Sequence, residues 1–323
     1  MELNMVDRLT ARELVLRSDP KKGKIIEALT MTNNVFSKLP MIQANDGTVH
    51  TQLVRTSLPH STRRNYNEGV KAAASTTTPF KDIIQTNSVY SVVDKNLADD
   101  SGNKEQFISD ENVAFVSGMG QDMASDIIYA DNKTDASASN GFACRRTKVD
   151  DKYTFDMGAT GSNLTSLYLV AGGKGFTSLI YPKGSFSAAL THENRGVQDW
   201  DDGKGGKFPA YINYFEARFG VAVGDQRSLL RLANIDPKNT DPKDLIEQIL
   251  KMSYKLPKGI ANYYLFCNAD VMWMLDKAAQ DRLAPVASHE DPWGNPIYKI
   301  RDLRIYQEDS ILSTENQVKK INS

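Results

Sequence analysis

The sequence predicts a mixed α+β protein. Three observations carry that class: alternating, Thr- and Val-bearing runs on either side of a long polar span, one Pro-free amphipathic segment from Ser109 to Tyr129, and a C-terminal half in which strand and helix signals alternate. With 323 residues, 40% hydrophobic and 24% charged, the chain has an ordinary globular composition. A chain of this mass buries about three quarters of its unfolded surface, enough for one large or two modest cores without metal or disulfide support. There is no internal repeat and no low-complexity tract.

Taken in order, Lys24 to Leu39 places Ile25, Ile26, Leu29, Val35, Phe36 and Leu39 near helical spacing, and Pro40 stops the predicted helix. Between Asn45 and Asp110 two strand-like runs, TVHTQLVRTSL and FKDIIQTNSVYSVVD, flank the spacer HSTRRNYNEGVKAAASTTTP. The spacer holds few large apolar side chains, so it cannot bury much surface. The pair therefore reads as an extended hairpin that reaches for something. Ser109 with Asp110 and Glu111 offers a cap and an acidic first turn for a helix of roughly 30 Å, along which Phe115, Met119, Met123 and Ile127 recur every fourth residue. Gly118 and Gly120 suit close approach of another backbone. Gly, Asn, Ser and Asp then crowd residues 131 to 141 and mark a boundary.

Beyond the boundary, LTSLYLVAGG and GFTSLIYPKG read as strands, and AYINYFEARFGVAVGDQRSLLRLANI as a longer run broken at Gly220 and Gly224. Asp241-Pro242 opens a helix with Leu245, Ile246, Ile249 and Leu250 on one face. NYYLFCNADVMWMLDKAAQD reads as a strand to Cys267, with Asn268 capping a second helix, and YKIRDLRIYQED as a closing strand.

Charge narrows the function classes. Thirty-nine Lys and Arg against 40 Asp and Glu give a net charge of −1, which disfavours a protein whose main task is wrapping nucleic acid or coating an anionic membrane. The balance is not local: residues 1–81 carry twelve bases and seven acids, a net of +5, whereas residues 82–135 carry three bases and eleven acids, a net of −8. Such blocks are either solvated faces or mutually attracting surfaces. Cys144 and Cys267 lie far apart and read as reduced thiols of a cytosolic setting. The N-terminus lacks the apolar core of a signal peptide and no stretch approaches the roughly 18 apolar residues of a membrane span, so the product is expected to stay where it is synthesised.

Catalytic signatures are missing. His50, His60, His192 and His289 never stand at the spacing that puts two imidazoles on one metal, and read as surface residues. Gly172-Gly173-Lys174-Gly175 lacks the Ser or Thr of a phosphate loop and reads as a tight hairpin turn; Asp201-Asp202-Gly203-Lys204-Gly205-Gly206 resembles a calcium loop in composition only. No catalytic residue, metal site or cofactor is expected. The one enzyme alternative is an α/β nucleotide-binding core within residues 165–270.

The order of parts, an N-terminal arm, a long polar hairpin, one long helix and then an α+β domain, resembles the major capsid proteins of tailed double-stranded DNA phages, the Hong Kong 97-type capsid fold. Six stretches sharpen the likeness toward short-tailed phages such as epsilon fifteen: Asn45-Asp46-Gly47, Arg64 to Gly69 (RNYNEG), Tyr90 to Ala98 (YSVVDKNLA), Phe115 with Gly118 to Ala124 (GMGQDMA), Ile180 to Gly184 (IYPKG), and Gly224 to Arg227 (GDQR) running on to Ala233 to Asp236 (ANID). The likeness covers most of the chain and departs in residues 131–165 and 185–205.

This resemblance implies an N-terminal arm (1–45), an extended loop (46–81), a peripheral domain (82–140) around a spine helix, an axial domain (141–299) and a C-terminal peripheral-domain strand (300–323), with strands near 215–231 partly returning to the peripheral domain. It implies self-assembly into pentamers and hexamers of an icosahedral shell enclosing a double-stranded DNA genome, a place in the virion, and assembly in the host cytoplasm. Expected partners are other copies of the chain, with portal, scaffolding and possible decoration proteins, weak non-specific contact with packaged DNA, and no membrane. A nanocompartment shell enclosing cargo enzymes, encapsulin-like, is the alternative on the same fold. Head-to-tail contacts close rings of identical subunits, so the opposite charge blocks suggest that Arg55, Arg63, Arg64 and Lys71 of one subunit meet Asp94, Asp99, Asp100, Asp122 or Asp126 of its neighbour.

Overall fold

The computed structural model describes residues 33–57, 59–184, 189–259, 262–280, 286–290 and 296–321. In chain order the elements are α1 (Asn34–Lys38), β1 (Met41–Gln43), β2 (Val49–Ser57), β3 (Thr76–Ile83), β4 (Gln85–Asp94), α2 (Lys95–Asp100), α3 (Lys104–Tyr129), β5 (Thr154–Asp156), β6 (Ser162–Gly172), β7 (Thr177–Tyr181), β8 (Leu190–Asp201), β9 (Lys207–Val223), a 3-10 turn (Gln226–Ser228), β10 (Leu229–Ile235), α4 (Pro242–Ser253), β11 (Asn262–Cys267), α5 (Ala269–Gln280), β12 (Val286–Glu290), β13 (Pro296–Ile300), β14 (Leu303–Gln307) and β15 (Glu315–Asn316). The class is the expected α+β. Most of the N-terminal arm, and most of the helix expected from Lys24, lies outside the described residues; its last turn is α1, capped by Asn33 and ended at Leu39 before Pro40.

The centre is β6, whose neighbours β10 and β11 both run antiparallel to it. Its side chains alternate between two cores. Tyr168 and Val170 face a cluster shared with α1, α3, β7 and β9, whereas Leu167, Leu169 and Ala171 face a cluster built with α4, α5, β10 and β14. Burial on both faces explains why this strand reads as a continuous apolar run rather than an alternating one. Asp241 caps α4, and Leu245, Ile246 and Ile249 are buried with Leu250 packed at the margin, as the spacing predicts. Asn268 caps α5 by accepting the Val271 N–H at 3.0 Å.

The boundaries of several elements differ from the sequence reading. The long helix begins at Lys104, capped by Asn103, instead of at Ser109; its 26 residues span about 39 Å at the helical rise. Ser109 to Glu111 looks like a start because the preceding turn shows no clear apolar period. Met119, Met123 and Ile127 are buried and Phe115 only half-buried, with Val116, Ala124 and Ile128 completing the stripe. Gly120 is buried and its carbonyl accepts from Asn33, but Gly118 is exposed with open space where a Cβ would stand.

The run expected as one strand from Phe80 divides at Ile84: β3 pairs with β2, and β4 pairs with β9. Gly220 does not break β9; it lies within the strand because a Cβ there would stand 2.4 Å from the Ile83 carbonyl oxygen. The glycine-rich turn after β6 does not make a hairpin, since β7 touches β6 in parallel only at Gly172↔Thr177 and pairs along its length with β9. The last expected strand is two, β13 and β14, reversed at Arg301 with φ 55°. Asp202 accepts the Lys204 and Gly206 N–H groups at 2.7 and 2.9 Å, so the Asp- and Gly-rich stretch closes the β8–β9 hairpin.

Candidate functional site

Strands β2 and β3 form a two-stranded sheet separate from the rest. Every residue from 59 to 81 is exposed, and the ribbon displays Leu53 at 74% and Tyr66 at 100% of full exposure. A two-stranded ribbon is marginal by itself in water, and nine residues of β2 reach about 30 Å at the strand rise. The tip turns through Asn65 to Glu68: Asn67 has φ 66°, the Glu68 N–H donates to the Asn65 carbonyl at 3.3 Å, and the Glu68 carboxylate accepts the Asn65 N–H at 3.1 Å. Tyr66 therefore stands outward between polar turn residues.

The base of this ribbon, in contrast, is fixed. Arg145 donates from one nitrogen to Asp82 Oδ1 at 2.7 Å and to the Val221 carbonyl at 2.8 Å, in a pair whose side chains are 14% and 3% exposed. Gln85, the next polar position, accepts from the Ser139 N–H and hydroxyl at 2.9 and 2.7 Å and donates to Asp126 at 2.7 Å. With Gly220 admitting the Ile83 carbonyl, the ribbon leaves the body at a set angle. Burial lowers the pKa of His50 on β2, and Asp82 partly counters it. None of these base contacts was visible in the sequence; Asp82 and Arg145 are 63 positions apart with no local pattern linking them.

The acids of the −8 block divide into two groups. Asp94 caps α2, accepting the Asn96 and Leu97 N–H groups at 2.7 and 3.3 Å; Asp99 sits 4.0 Å from Lys104 and accepts from the Tyr211 hydroxyl; Asp100 is exposed beside them. Asp126 on α3 is held within the chain by the Gln85 and Asn87 amides. Asp122, one turn earlier, is exposed and lines a groove of about 520 Å³ between α3 and β4, together with Glu111, Phe115, Gly118, Met119 and Val89. Of the basic candidates, Arg63, Arg64 and Lys71 are exposed on the ribbon, and Arg55 stands in β2 opposite Thr77. Among the described side chains, none of Arg63, Arg64 and Lys71 forms an ion pair with an acidic candidate of the same chain.

A buried polar centre joins the C-terminal segment to the long helix, and sequence reasoning did not find it either. Glu315 accepts from Tyr129 at the end of α3, from Ser166 on β6, and from Arg231 on β10 at 2.9 Å. Burial pulls the Arg231 pKa down, and Tyr168 and Glu315 more than offset it. Arg146 lies beside it, pushed down to about 10 by burial. Both thiols are free; burial pushes Cys144 up to about 11 and Cys267 up to about 12. Among the described residues no group of three or more His, Cys, Asp or Glu is placed to hold a metal ion, and no helix is long and apolar enough to cross a membrane. His192, exposed on β8, stacks on Phe215, and the side chain of His289 lies outside the described residues.

This geometry offers contact surfaces: a stiffly based ribbon with a cationic tip, and an acidic helix with a part-apolar groove. No curated protein matches the chain. A chain of the near-atomic structure of bacteriophage Epsilon15 is 25% identical with a TM-score of 0.65, over 87% of this chain and 88% of that one. The bacteriophage JBD30 capsid is 10% identical over 92% of this chain and 98% of that one with a TM-score of 0.45, and the SrpI encapsulin of Synechococcus elongatus is 10% identical over 61% and 85% with a TM-score of 0.41. A family described as major capsid protein GP7 matches residues 17–319, nearly the whole chain from arm to C-terminal segment. The hairpin, long helix and two-sided sheet thus occur in a Hong Kong 97-type subunit, and the chain belongs to the major capsid protein GP7 family, a structural protein of a bacteriophage's icosahedral capsid.

Proposed function

We propose that the chain closes pentamers and hexamers around a double-stranded DNA genome by laying the 46–81 ribbon of each subunit across the 82–135 surface of the next. The observation that carries this reading is the ribbon itself: rigid at Asp82 and Gln85, exposed from residue 59 to 81, and too small to be stable unsupported. A repeated head-to-tail contact of this kind closes rings. Arg55, Arg63, Arg64 and Lys71 then face Asp94, Asp99, Asp100, Asp122 or Asp126 of the neighbour. Asp122 and Asp100 are the freest of these, because Asp126 already serves two amides and Asp94 caps a helix. Exposed pairs contribute under about 1 kcal/mol each and chiefly set register and association rate; repetition around the shell makes them sufficient.

In this reading residues 1–45 are an arm, 82–140 a peripheral domain around α3, 141–299 an axial domain, and 300–323 returns to the peripheral domain. The last assignment is supported by Tyr129, whose hydroxyl accepts the Leu312 N–H at 2.9 Å and donates to Glu315 at 2.6 Å. The role is non-enzymatic, closure is non-covalent, packaged DNA is touched only weakly, assembly takes place in the host cytoplasm, and portal, scaffolding and decoration proteins are the other partners. Reversing Arg63→Glu with Arg64→Glu should lower shell yield, with the deficit greatest at low salt, measured by sedimentation and electron microscopy across a salt series. Unchanged yield at low and high salt would remove the reading.

A further inference from the structure

Resting on the ribbon-over-neighbour reading above, we infer that Tyr66 at the ribbon tip seats in the neighbouring subunit's groove between α3 and β4, with Arg63 and Arg64 on its acidic rim. Tyr66 is fully exposed, the highest exposure among the large hydrophobics of the described residues. The turn at Asn65 to Glu68 holds it outward. An aromatic ring displayed beyond the paired part of the ribbon, which ends at Ser57 and Thr76, is an anchor: it brings much apolar area at the cost of two torsions, and its hydroxyl can remain at a wet rim.

The groove fits such an anchor. Its floor is apolar, from Phe115, Met119 and Val89, and its rim carries Glu111 and Asp122 with the polar Asn87 and Ser88. Its volume of about 520 Å³ lies within the range of sites that bury most of a small aromatic ligand. Gly118 gives the groove its depth. This glycine lies in the middle of α3, where glycine weakens a helix by about 1 kcal/mol relative to alanine, and nothing within 4 Å of its missing Cβ requires it. Its φ is not left-handed either. A helix position that neither packing nor backbone conformation reserves for glycine, opening onto a groove, is explained by an occupant from outside the chain. The sign of the charge on each side selects that occupant: Arg63 and Arg64 precede Tyr66, the one carboxylate near it, Glu68, is turned onto the Asn65 N–H, and the rim presents two carboxylates.

Two variants test the seat apart from the ribbon reading. Gly118→Leu fills the groove while improving helix propensity, so the isolated subunit should melt no lower than the parent chain, yet its shell yield should fall at least tenfold. Tyr66→Ala, at a fully exposed position, should leave the melting of the isolated subunit unchanged and lower shell yield at least tenfold, whereas Tyr66→Phe keeps the ring and should keep most of the yield. Shells of normal yield from Gly118→Leu or from Tyr66→Ala overturn the seat. If those results accompany loss of assembly in the Arg63→Glu, Arg64→Glu chain, the ribbon still crosses the neighbour but rests elsewhere. If the charge reversal is also silent, both proposals fall.

Discussion

Glu315→Gln keeps the shape of the buried polar centre, removes its negative charge and turns one of its two accepting oxygens into an N–H donor. In the parent chain Arg231 and Glu315 have side chains 6% and 5% exposed, 2.9 Å apart, and the same carboxylate accepts the Tyr129 hydroxyl at 2.6 Å. Neutralising one partner leaves the guanidinium buried without its counter-charge, which costs about 3–5 kcal/mol, where an exposed pair would cost less than 1. At roughly 2.1 cal/mol/K of unfolding entropy per residue, a chain of 323 residues shifts its Tm by about 1.5 °C per kcal/mol, so the variant should melt about 5–7 °C lower. The assay is thermal unfolding of dissociated subunits followed by circular dichroism. Adding Arg231→Met to Glu315→Gln should recover part of the loss, because removing the guanidinium as well leaves no stranded charge. A single variant within about 1.5 °C of the parent would refute the reasoning, since Arg231 would then be compensated by the Arg146 carbonyl and the Ser166 hydroxyl alone.

Gly220→Ala should cost at least about 1–3 kcal/mol in a denaturant titration, because its methyl would meet the Ile83 carbonyl oxygen at 2.4 Å and Ile180 Cγ1 at 3.1 Å; parental stability would show that β9 and the ribbon base are not pressed together. Glu308 has its pKa raised above the ordinary 4.5, first by burial, against the opposing hydrogen bond from Val35. The native state therefore holds this proton more tightly than the unfolded chain, so its contribution is fully present below pH 4.5 and is lost as pH rises through the elevated value. The stability of the parent minus that of Glu308→Gln should fall with rising pH across this window in parallel urea titrations, and a flat difference would contradict the assignment.

What could be read from the sequence was set by nearby residues. The Asp241-Pro242 start of α4, the Asn268 cap and the two-sided run of β6 each depend on signals within a few positions, and each is where the pattern puts it. The ribbon was legible for the opposite reason, a lack of apolar side chains over a stretch too long for an ordinary loop. The division at Ile84 was hidden because both halves have the same alternating character, and only the pairing of β4 with β9 separates them. The reversal at Arg301 needs a left-handed residue that no Gly or Asn announces. In the candidate site, the net charges of the two blocks were visible, but Asp126 facing Gln85 and Asn87, Arg145 reaching Asp82, and the open space beside Gly118 are tertiary facts with no trace in local spacing.

Strand β9 pairs with β4 and β8 along its first part and with β7 along its last, so one continuous backbone belongs to both the outlying three-stranded layer and the central layer. A subunit built this way has no slack joint at its middle. Bending one copy between its two layers to fit a curved shell would have to break main-chain hydrogen bonds of β9, whereas the unpaired end of the ribbon beyond Ser57 and Thr76 can change course without breaking any ladder.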